Sequence, residues 1–431
     1  MRNILHITTH MGGGVGKAIS DTVLYDHNNQ HKILILDKPQ KNIFIEKCKD
    51  GNIDIVLEKD KIKIEQEIKK ADVVIIHWWN HPMMAKLLLN FPIVKARYIL
   101  WSHVSGCTYP NLDFSFLNRF KKILFTTPYS YENLSWTKEQ REQIKKKSKV
   151  VYGLGKLEEK AEKKGYCIKN NEPKIGYVGT FTKSKISMNI VTICKKIISK
   201  IPNIKFIMLG DLEVANWILE EIKIEGIENN FEFLGYVKDV NPLLIQFDVF
   251  GYPLNSFHFG ATENAILEAM MVGLPIVCFN QATEKYIIEN KKNGLLASNI
   301  DEYVNAVITL CEDRELAKRL GMQARKDVQE TYDLYSNIEQ LQSAIEEILE
   351  EEKEEIEFEF DTLKKYFLTF VREQEKDFIL ECNQENLECL WNNYPIFCEK
   401  NKSSLLQFCE YFPEDEWLKE WKEAIIQYDN K

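Results

Sequence analysis

The feature that most constrains the fold is a regular alternation of short apolar runs and amphipathic segments, which occurs in two sets along the 431 residues. Apolar runs that are each followed by a helical pattern predict parallel strands with helices on both faces of the sheet. We therefore predict an α/β fold with two doubly wound, Rossmann-like domains that face a cleft, the usual position of a ligand site. Strands are predicted at 3–8, 32–36, 53–57, 73–76, 98–101, 123–126 and 150–152 in the first set, and at 174–180, 204–208, 231–237, 247–253 and 276–279 in the second.

The segments between and after these sets define the predicted domain limits. We predict an N-terminal domain at 1–153, a Lys/Glu-rich linker at 154–173 and a C-terminal domain at 174–345. Ten acidic residues and one lysine follow between 346 and 361, and the remaining tail is rich in aromatic residues. We therefore predict an acidic segment and a helical extension at 346–431, whose four cysteines are assigned to the core because their spacing matches no zinc module.

Composition excludes several classes of protein. The net charge of −9 argues against a dedicated nucleic-acid binder, which usually carries a basic face. We find no apolar run long enough for a membrane-spanning helix, and the N-terminus becomes polar too early for a signal peptide. Ten scattered cysteines without a Cys-x-x-Cys motif indicate reduced thiols, so we expect a cytoplasmic protein.

A helix with a basic end is predicted at 138–149, with Thr137 as its cap. Such a face is usually solvated, but it could also contact an anionic membrane. Peripheral contact with the inner face of the membrane therefore stays open, and the oligomeric state is not determined by the sequence.

The first predicted strand runs into a glycine-rich loop, Gly12-Gly13-Gly14-Val15-Gly16-Lys17, and we expect a helix from about Ala18. A strand, a glycine-rich loop and a helix form a natural anion cradle. The loop is not a Walker A motif, because Met11 and Ala18 occupy the positions of a required glycine and hydroxyl. It is also not Gly-x-Gly-x-x-Gly, since Lys17 occupies the third position. A tight turn for close strand–helix packing is the alternative.

Four histidines, His10, His77, His81 and His103, fall at the carboxyl ends of predicted strands, where α/β proteins bind ligands. No carboxylate stands at ligand spacing beside them, so we predict hydrogen bonds to a phosphate or a sugar hydroxyl and no metal site. His81 precedes a proline and could simply cap a helix. The neighbouring aromatic residues could stack on sugar rings or belong to the core: Trp78, Trp79, Trp101 and Tyr109.

The stretch 257–275 is predicted to form a polar loop, a helix and a turn. Thr262 is a suitable N-cap, and Gly273 with Pro275 ends the helix. Glu268 stands among apolar residues, where a carboxylate needs a partner. A vicinal diol would serve, because one carboxylate can accept both hydroxyl protons. The alternative is that Glu268 faces solvent.

Taken together, the motifs of the second half resemble the retaining glycosyltransferases of family 4, which have the GT-B fold. The resemblance covers about 174–350, and the first half matches more loosely through the Gly12–Gly16 loop and His103. The matching motifs are Val178-Gly179-Thr180, Leu209-Gly210-Asp211, Phe233-Leu234-Gly235, Phe247-Asp248-Val249, Leu267-Glu268-Ala269-Met270 and Gly273-Leu274-Pro275.

The resemblance implies a role for each matching residue. Glu268 would accept hydrogen bonds from the ribose of the donor nucleotide, and Lys185, with Lys183 as the alternative, would neutralise its diphosphate. His103 would lie near the transferred sugar. Further donor-site residues are implied along the nucleotide and its phosphates: Gly13, Gly14, Thr180, Gly210, Tyr236, Val237, Thr262 and Asn264.

One position departs from the family pattern Glu-x7-Glu. The first glutamate would be at position 260, which is Gly260 here. Glu263 lies three residues later and could take over its work. The departure therefore affects the predicted recognition of the transferred sugar more than the predicted binding of the donor's ribose.

The resemblance implies a retaining glycosyltransferase that moves a sugar from a nucleotide diphosphate sugar to a saccharide or lipid-linked acceptor in cell-surface polysaccharide synthesis. Its catalytic residues would be His103, Lys185 and Glu263. No Asp-x-Asp motif is present, so metal independence and no cofactor are expected. A nucleotide-sugar epimerase and a non-catalytic nucleotide- or carbohydrate-binding scaffold are the alternatives. The sugar, the base and the acceptor are not determined by the sequence.

Overall fold

A computed structural model describes residues 1–38, 42–157, 172–400 and 402–429. The chain divides into two compact units. The first unit comprises Met1–Lys156 and Leu334–Lys431, and the second comprises Leu157–Asp333. Most of the predicted linker, at 158–171, lies outside the described residues.

The first unit contains a parallel sheet, which has seven strands in the described part of the chain, in the order β3-β2-β1-β4-β5-β6-β7. The strands are β1 (Arg2–Thr8), β2 (Asn29–Ile35), β3 (Asp54–Leu57), β4 (Val73–Trp78), β5 (Tyr98–Ser102), β6 (Lys122–Phe125) and β7 (Ser148–Val150). The helices that alternate with them are α1 (Gly13–Tyr25), α2 (Ile43–Asp50), α3 (Lys61–Lys70), α4 (Pro82–Leu89), α5 (Phe114–Asn118) and α6 (Lys138–Lys146).

The helix after the glycine-rich loop begins earlier than the sequence indicates. Gly13 already opens α1, with Gly12 as the N-cap, so the expected start at Ala18 is wrong. The chain needs glycine here because Gly13 has a φ of +59° and a Cβ at Gly16 would lie 2.4 Å from the Met11 carbonyl oxygen. The loop is therefore a tight strand–helix turn. The predicted cap of α6 is confirmed, since Thr137 and Gln140 form a capping box.

The second unit contains a parallel sheet in the order β10-β9-β8-β11-β12-β13, counted over its described residues. The strands are β8 (Lys174–Val178), β9 (Lys205–Leu209), β10 (Phe231–Gly235), β11 (Val249–Tyr252), β12 (Ile276–Phe279) and β13 (Leu295–Ala297). The helices are α7 (Ile190–Ile198), α8 (Asn216–Glu225), α9 (Asn241–Leu244), α10 (Asn264–Met271), α11 (Glu284–Ile287), α12 (Ile300–Glu312) and α13 (Arg314–Thr331).

After the second unit the chain returns to the first through α14 (Leu334–Leu349). Leu341, Ile345 and Ile348 of this helix belong to one buried cluster with strand residues of the first sheet, including Ile75 and Ile99. The predicted C-terminal domain, 174–345, includes most of α14, but the helix belongs to the first unit. Packing on the first sheet buries the apolar face of the helix.

The rest of the C-terminal region is helical and packs on the first unit. Its helices are α15 (Leu363–Thr369), α16 (Glu373–Leu380), α17 (Gln384–Asn393), α18 (Leu405–Tyr411) and α19 (Glu416–Asp429). The Trp78 and Phe370 rings lie 4.6 Å apart, and Glu354 of the acidic segment bridges to Ala96 by backbone hydrogen bonds. Of the tail cysteines, Cys398 and Cys409 are buried. Within the described ranges, no helix combines the length and apolar character needed to cross a membrane.

Candidate functional site

In both units the strand order reverses beside the first strand, between β1 and β4 and between β8 and β11. Loops that leave the carboxyl ends of such neighbouring strands diverge and leave a crevice, which is where doubly wound sheets bind ligands. In the second unit, Lys185 follows β8 and Glu263 follows β11. In the first unit, the glycine-rich loop follows β1 and His81 follows β4.

Lys185 and Glu263 form a buried ion pair at the switch point of the second unit. Lys185 Nζ lies 2.6 Å from Oε1 and 2.8 Å from Oε2 of Glu263, and their side chains are 10% and 3% exposed. The Tyr252 hydroxyl donates to Glu263 Oε2 at 2.8 Å. Burial is the largest single influence and would raise the pKa of the Glu263 carboxyl. The electrostatic influences of Lys185 and His258, together with the hydrogen bonds from Lys185 and Tyr252, outweigh burial and lower that pKa. The carboxylate is therefore ionised and orients the ammonium group.

Glu263 holds this position with an unfavourable backbone conformation. It is the N-cap of α10 with φ +48° and ψ +57°, in the left-handed region, and its side chain makes no cap hydrogen bond. The prediction that Thr262 caps this helix is wrong, since the helix begins at Asn264. A non-glycine residue in this region is strained, and such strain persists where the surroundings determine the conformation. Here the ion pair with Lys185 holds the backbone of Glu263 in the strained conformation.

The Glu263 carboxylate lies where a side chain at position 260 would begin. A Cβ built on Gly260 would be 1.5 Å from Glu263 Oε1 and 2.7 Å from Lys185 Nζ. Gly260 is therefore required for Glu263 to reach Lys185. The space above position 260, where the Glu-x7-Glu pattern has a glutamate, is thus filled by the carboxylate of a residue three positions later.

His258 supports the loop before this carboxylate. Its Nδ1 accepts from the Gly260 N–H at 3.1 Å, and its Nε2 lies 3.1 Å from Glu284 Oε2. Both His258 and Glu284 have no exposed surface. Because Nδ1 accepts a hydrogen bond, the proton of the neutral ring is on Nε2 and donates to Glu284. The nitrogen that faces Glu263 at 3.6 Å therefore carries a lone pair, and it does not donate to that carboxylate.

Glu268 lies on the half-buried stripe of α10, together with Asn264 and Ala265, whereas the other residues of this helix are buried. It is therefore neither enclosed by apolar side chains nor fully exposed. The structure leaves its proposed ribose role as a prediction.

The other predicted donor-site residues line the loops after β8, β9 and β10. Gly210 is tightly enclosed, since a Cβ there would lie 2.0 Å from the Gly179 carbonyl oxygen. Lys183 is half-buried, with Nζ 5.8 Å from the centre of the Trp217 ring. Thr180 and Val237 are half-buried, Thr262 is buried, and Tyr236 is 65% exposed.

In the first unit, His10 and His81 are engaged by backbone amides. His10 Nδ1 accepts from the Gly12 N–H at 3.0 Å, and His81 Nδ1 accepts from the Met83 N–H at 3.1 Å. The interpretation of His81 as a helix cap is thus confirmed. Burial lowers the pKa of His10 to about 4 and that of His81 to about 3, and nearby positive charge adds to this effect. Gly13 and Gly14 are exposed at the start of α1.

The neighbouring aromatic side chains are core residues. Trp78 and Trp101 have no exposed surface, and Trp79 and Tyr109 are 5% and 2% exposed. The alternative assignment of these rings to the core is therefore confirmed, because buried faces cannot stack on a sugar in this arrangement.

The remaining two histidines, His77 and His103, belong to a continuous hydrogen-bonded chain. It runs from Asp26 Oδ2 through His31, His6 and His77 to His103, with successive distances of 3.1, 2.9, 2.9 and 2.8 Å. We name these five residues the histidine relay. His6 and His77 have no exposed surface, whereas His103 is half-buried. Burial lowers the pKa of His103 to about 3.

The sequence prediction missed three of these residues, Asp26, His6 and His31. His6 and His31 lie inside strands and not at their ends, so the rule that selected the other histidines passed over them. A titratable ring inside an apolar strand was the available signal, since burial requires it to be hydrogen-bonded. In the described ranges, no group of three or more His, Cys, Asp or Glu side chains is arranged to hold a metal ion.

Comparison with known proteins finds glycosyltransferases among the relatives of this chain. Residues 137–327 match the family model of glycosyl transferases group 1. The capsular polysaccharide biosynthesis glycosyltransferase CapM of Staphylococcus aureus is 27% identical over 195 residues, which are 44% of this chain and 50% of CapM. The N-acetyl-alpha-D-glucosaminyl L-malate synthase of Bacillus anthracis is 26% identical over 193 residues, which are 44% of this chain and 50% of the synthase. The chain thus spans about half the length of these curated relatives.

The fold of most of the chain has solved counterparts. Alr3699/HepE of Anabaena, solved in complex with UDP, superposes with a TM-score of 0.61 at 15% identity and covers 80% of this chain and 100% of HepE. At this identity the likeness shows the fold alone. The predicted fold class is confirmed: two parallel-sheet units of the GT-B fold with a C-terminal helical region.

Proposed function

We propose that this chain is a glycosyltransferase that moves a sugar from a nucleotide diphosphate sugar to a saccharide or lipid-linked acceptor, with retention of anomeric configuration. The observation that carries the proposal is the buried Lys185–Glu263 pair at the switch point of the second unit, within the segment that matches glycosyl transferases group 1. The name of CapM supports a role in capsular or other cell-surface polysaccharide synthesis.

The chemistry of this proposal assigns the leaving group to the second unit. Cleavage of the sugar–phosphate bond develops negative charge on the diphosphate, and a fixed cation in a water-poor site stabilises that charge. Lys185 would supply the cation, with Lys183 as the alternative, and Glu268 would hold the ribose. Backbone N–H groups near Thr262 and Asn264, at the start of α10, would add dipoles of the right sign.

Glu263 would perform the work of the family's first glutamate from its displaced position. Its carboxylate already occupies the space over Gly260 and is held by Lys185 and Tyr252. A carboxylate there can accept hydrogen bonds from sugar hydroxyls and can stabilise positive charge on the sugar during transfer. The departure at Gly260 is then a relocation of the carboxylate and not a loss.

The first experiment is a thermal-shift panel of nucleoside diphosphates and their sugars, followed by product analysis with and without saccharide acceptors. UDP is the first probe because HepE was solved with it. We expect nucleotides with one particular base to raise the melting temperature of the chain. Sugar transfer should occur only when an acceptor is present, and the product should have the same anomeric configuration as the donor. A changed sugar without acceptor would indicate an epimerase, and binding without turnover would indicate a scaffold.

Two variants test the site. We expect Lys185→Ala to lower kcat/KM by at least about 100-fold, as loss of a transition-state charge partner does in other enzymes. We expect Glu268→Ala to raise the KM for the donor by roughly 10- to 100-fold, the cost of a charged hydrogen bond. Lys183→Ala is the matched control with a smaller effect. Full activity in both variants would overturn the site assignment, and a larger loss in Lys183→Ala would move the phosphate role to that residue.

A further inference from the structure

The hydrogen bonds of the histidine relay all run in one donor-to-acceptor direction, and the Asp26 end sets that direction. Asp26 Oδ1 accepts from the Asn28 N–H at 3.0 Å and from Gln342 Nε2 at 2.7 Å. Oδ2 accepts from Asn29 Nδ2 at 2.8 Å and lies 3.1 Å from His31 Nε2. A carboxylate surrounded by donors is ionised and accepts only, so His31 Nε2 must carry a proton. Burial would raise the pKa of Asp26, but the hydrogen bonds from His31, Asn29 and Gln342, together with the charge attraction of His31, outweigh burial and hold that pKa well below its usual range.

The direction propagates because each ring nitrogen faces one ring nitrogen of the next histidine. In an uncharged relay, His31 Nδ1 is a lone pair and must accept from His6 Nε2. His6 Nδ1 then accepts from His77 Nε2, and His77 Nδ1 accepts from His103 Nε2. All the rings therefore hold their proton on Nε2. The last nitrogen, Nδ1 of the half-buried His103, is left as an acceptor.

We propose that Asp26, His31, His6 and His77 are positioning residues that set the hydrogen-bond role of His103: Nδ1 accepts while the relay is uncharged and donates when the relay holds one additional proton. In the second state each hydrogen bond between the rings is reversed. One proton binds His103 Nδ1, and His103, His77 and His6 each pass their Nε2 proton to the next ring. Three rings end neutral with the proton on Nδ1, and His31 becomes the imidazolium beside Asp26. One proton enters and none leaves.

The location of the relay favours this behaviour. Asn29 begins β2 at the amino-terminal edge of the sheet, whereas His103 follows β5 at the carboxyl-terminal edge. A cavity of about 250 Å³ lies at the first edge, lined by the Asp26 neighbours Asn28, Asn29 and Gln342. Two charged side chains also line it, Arg2 and Glu346, which are 3.8 Å apart and offset each other's charge. The positive charge of the protonated relay would therefore rest on a ring whose partner is a carboxylate, far along the chain of rings from His103.

Few charges act on these rings. Among the described residues, the titratable groups that influence His6 and His77 are the neighbouring histidines of the relay and Asp26. Trp101 stacks on His103 and is tilted against His77, and Trp79 meets His103 edge-on, so these contacts carry no charge. The charge state of the relay is therefore decided at the Asp26–His31 pair.

The consequence for a substrate rests on the proposed function, whereas the relay itself does not. An accepting Nδ1 suits a sugar hydroxyl, and a donating Nδ1 suits a phosphate oxygen. The earlier expectation that His103 simply donates would then hold only for the protonated relay.

The test is the tautomer of each ring, measured by NMR on the full chain with ¹⁵N-labelled histidine. The chain contains eight histidines, which can be assigned by single substitutions. At any pH at which the chain is folded, we expect His6, His77 and His103 to have the same tautomer as one another. All three should carry the proton on Nε2 in the uncharged relay and on Nδ1 in the protonated relay, and only His31 should become an imidazolium. Opposite tautomers in two of those three rings, or an imidazolium at any of them, would overturn the proposal.

Asp26→Asn tests the role of the carboxylate, with His27→Gln as the control because His27 is exposed and lies outside the relay. An opposite charge within hydrogen-bond range shifts a pKa by about 1–3 units. We therefore expect the proton concentration at which the relay is half-protonated to be at least tenfold higher in Asp26→Asn than in the wild type. His27→Gln should match the wild type. Unchanged proton affinity in Asp26→Asn would contradict the proposal. Should this variant not fold, the wild-type tautomers still decide.

The two proposals fail separately. If His6, His77 and His103 share their tautomer but the chain transfers no sugar, the proposed function is wrong and the relay proposal stands. If the chain transfers sugar but the three tautomers differ, the relay proposal is wrong and the proposed function stands.

Discussion

Glu263 is a buried carboxylate that its contacts hold in a strained backbone conformation. It has a positive φ, a buried carboxylate and two partners, Lys185 and Tyr252. Removing one member of a buried ion pair leaves an uncompensated charge and typically costs about 3–5 kcal/mol. The strain at Glu263 and the absence of a side chain at Gly260 therefore form one arrangement, in which each feature requires the other.

This arrangement predicts a position swap. Gly260→Glu alone should lose stability and activity, because its Cβ would overlap the Glu263 carboxylate. Gly260→Glu combined with Glu263→Gly creates the Glu-x7-Glu spacing with Glu268 and places glycine at the positive φ. We expect the double variant to recover most of the activity lost by either single variant, measured as kcat/KM for transfer. A double variant as inactive as Glu263→Gly alone would show that the carboxylate cannot act from position 260.

At the scale of elements, the switch point of the second sheet depends on two loops that touch through their backbones. The loop after β8 carries Lys185, and Gly210 follows β9. The close approach of Gly210 to the Gly179 carbonyl leaves no room for a side chain. The loop that presents Lys185 is therefore held in place by the neighbouring strand end as well as by Glu263.

Gly210→Ala should displace this loop. A Cβ 2.0 Å from a backbone oxygen forces a shift, so we expect a loss of roughly 1–3 kcal/mol in the free energy of unfolding. We also expect at least tenfold weaker binding of the nucleoside diphosphate that the thermal-shift panel identifies, measured by calorimetry. Gly226→Ala is the control, because nothing lies within 4 Å of its Cβ and only its φ of +65° is unfavourable. That variant should lose stability without losing affinity, and equal affinity in both variants would contradict the role of the contact.

At the scale of the whole molecule, the first unit is built from two separated parts of the chain. Helix α14 and the C-terminal helices return to it after the second unit is complete. Its core also encloses several neutral histidines. The pKa values of His6 and His77 lie well below their usual range because of burial. Burial also lowers the pKa of His10 to about 4 and the pKa values of His81 and His103 to about 3.

These histidines predict acid sensitivity of the first unit. Their pKa values are lower in the folded than in the unfolded chain, so the unfolded chain binds more protons below about pH 6.5 and stability falls as the pH decreases. Between pH 7.5 and 5.5 each of these five rings should cost about 1.4 kcal/mol, or about 7 kcal/mol together. Urea unfolding followed by tryptophan fluorescence at both pH values measures this difference.

A matched pair of variants locates the effect. His81→Asn keeps a helix cap but cannot titrate, so it should remove roughly a fifth of the pH dependence. His27→Gln should keep all of it, since this ring is exposed. A chain equally stable at both pH values would contradict the assignment of neutral buried histidines.

The sequence by itself determined the features that depend on local pattern: the alternating strands and helices, the parallel sheets and the cap at Thr137. These follow from periodicity and backbone conformation within a few residues of one another. Only the tertiary structure decided that α14 covers the first sheet, that Glu263 fills the space over Gly260, and that His31, His6, His77 and His103 form one chain. Each of these joins residues from separate strands or loops, and the sequence pattern carries no information on which buried polar groups become partners.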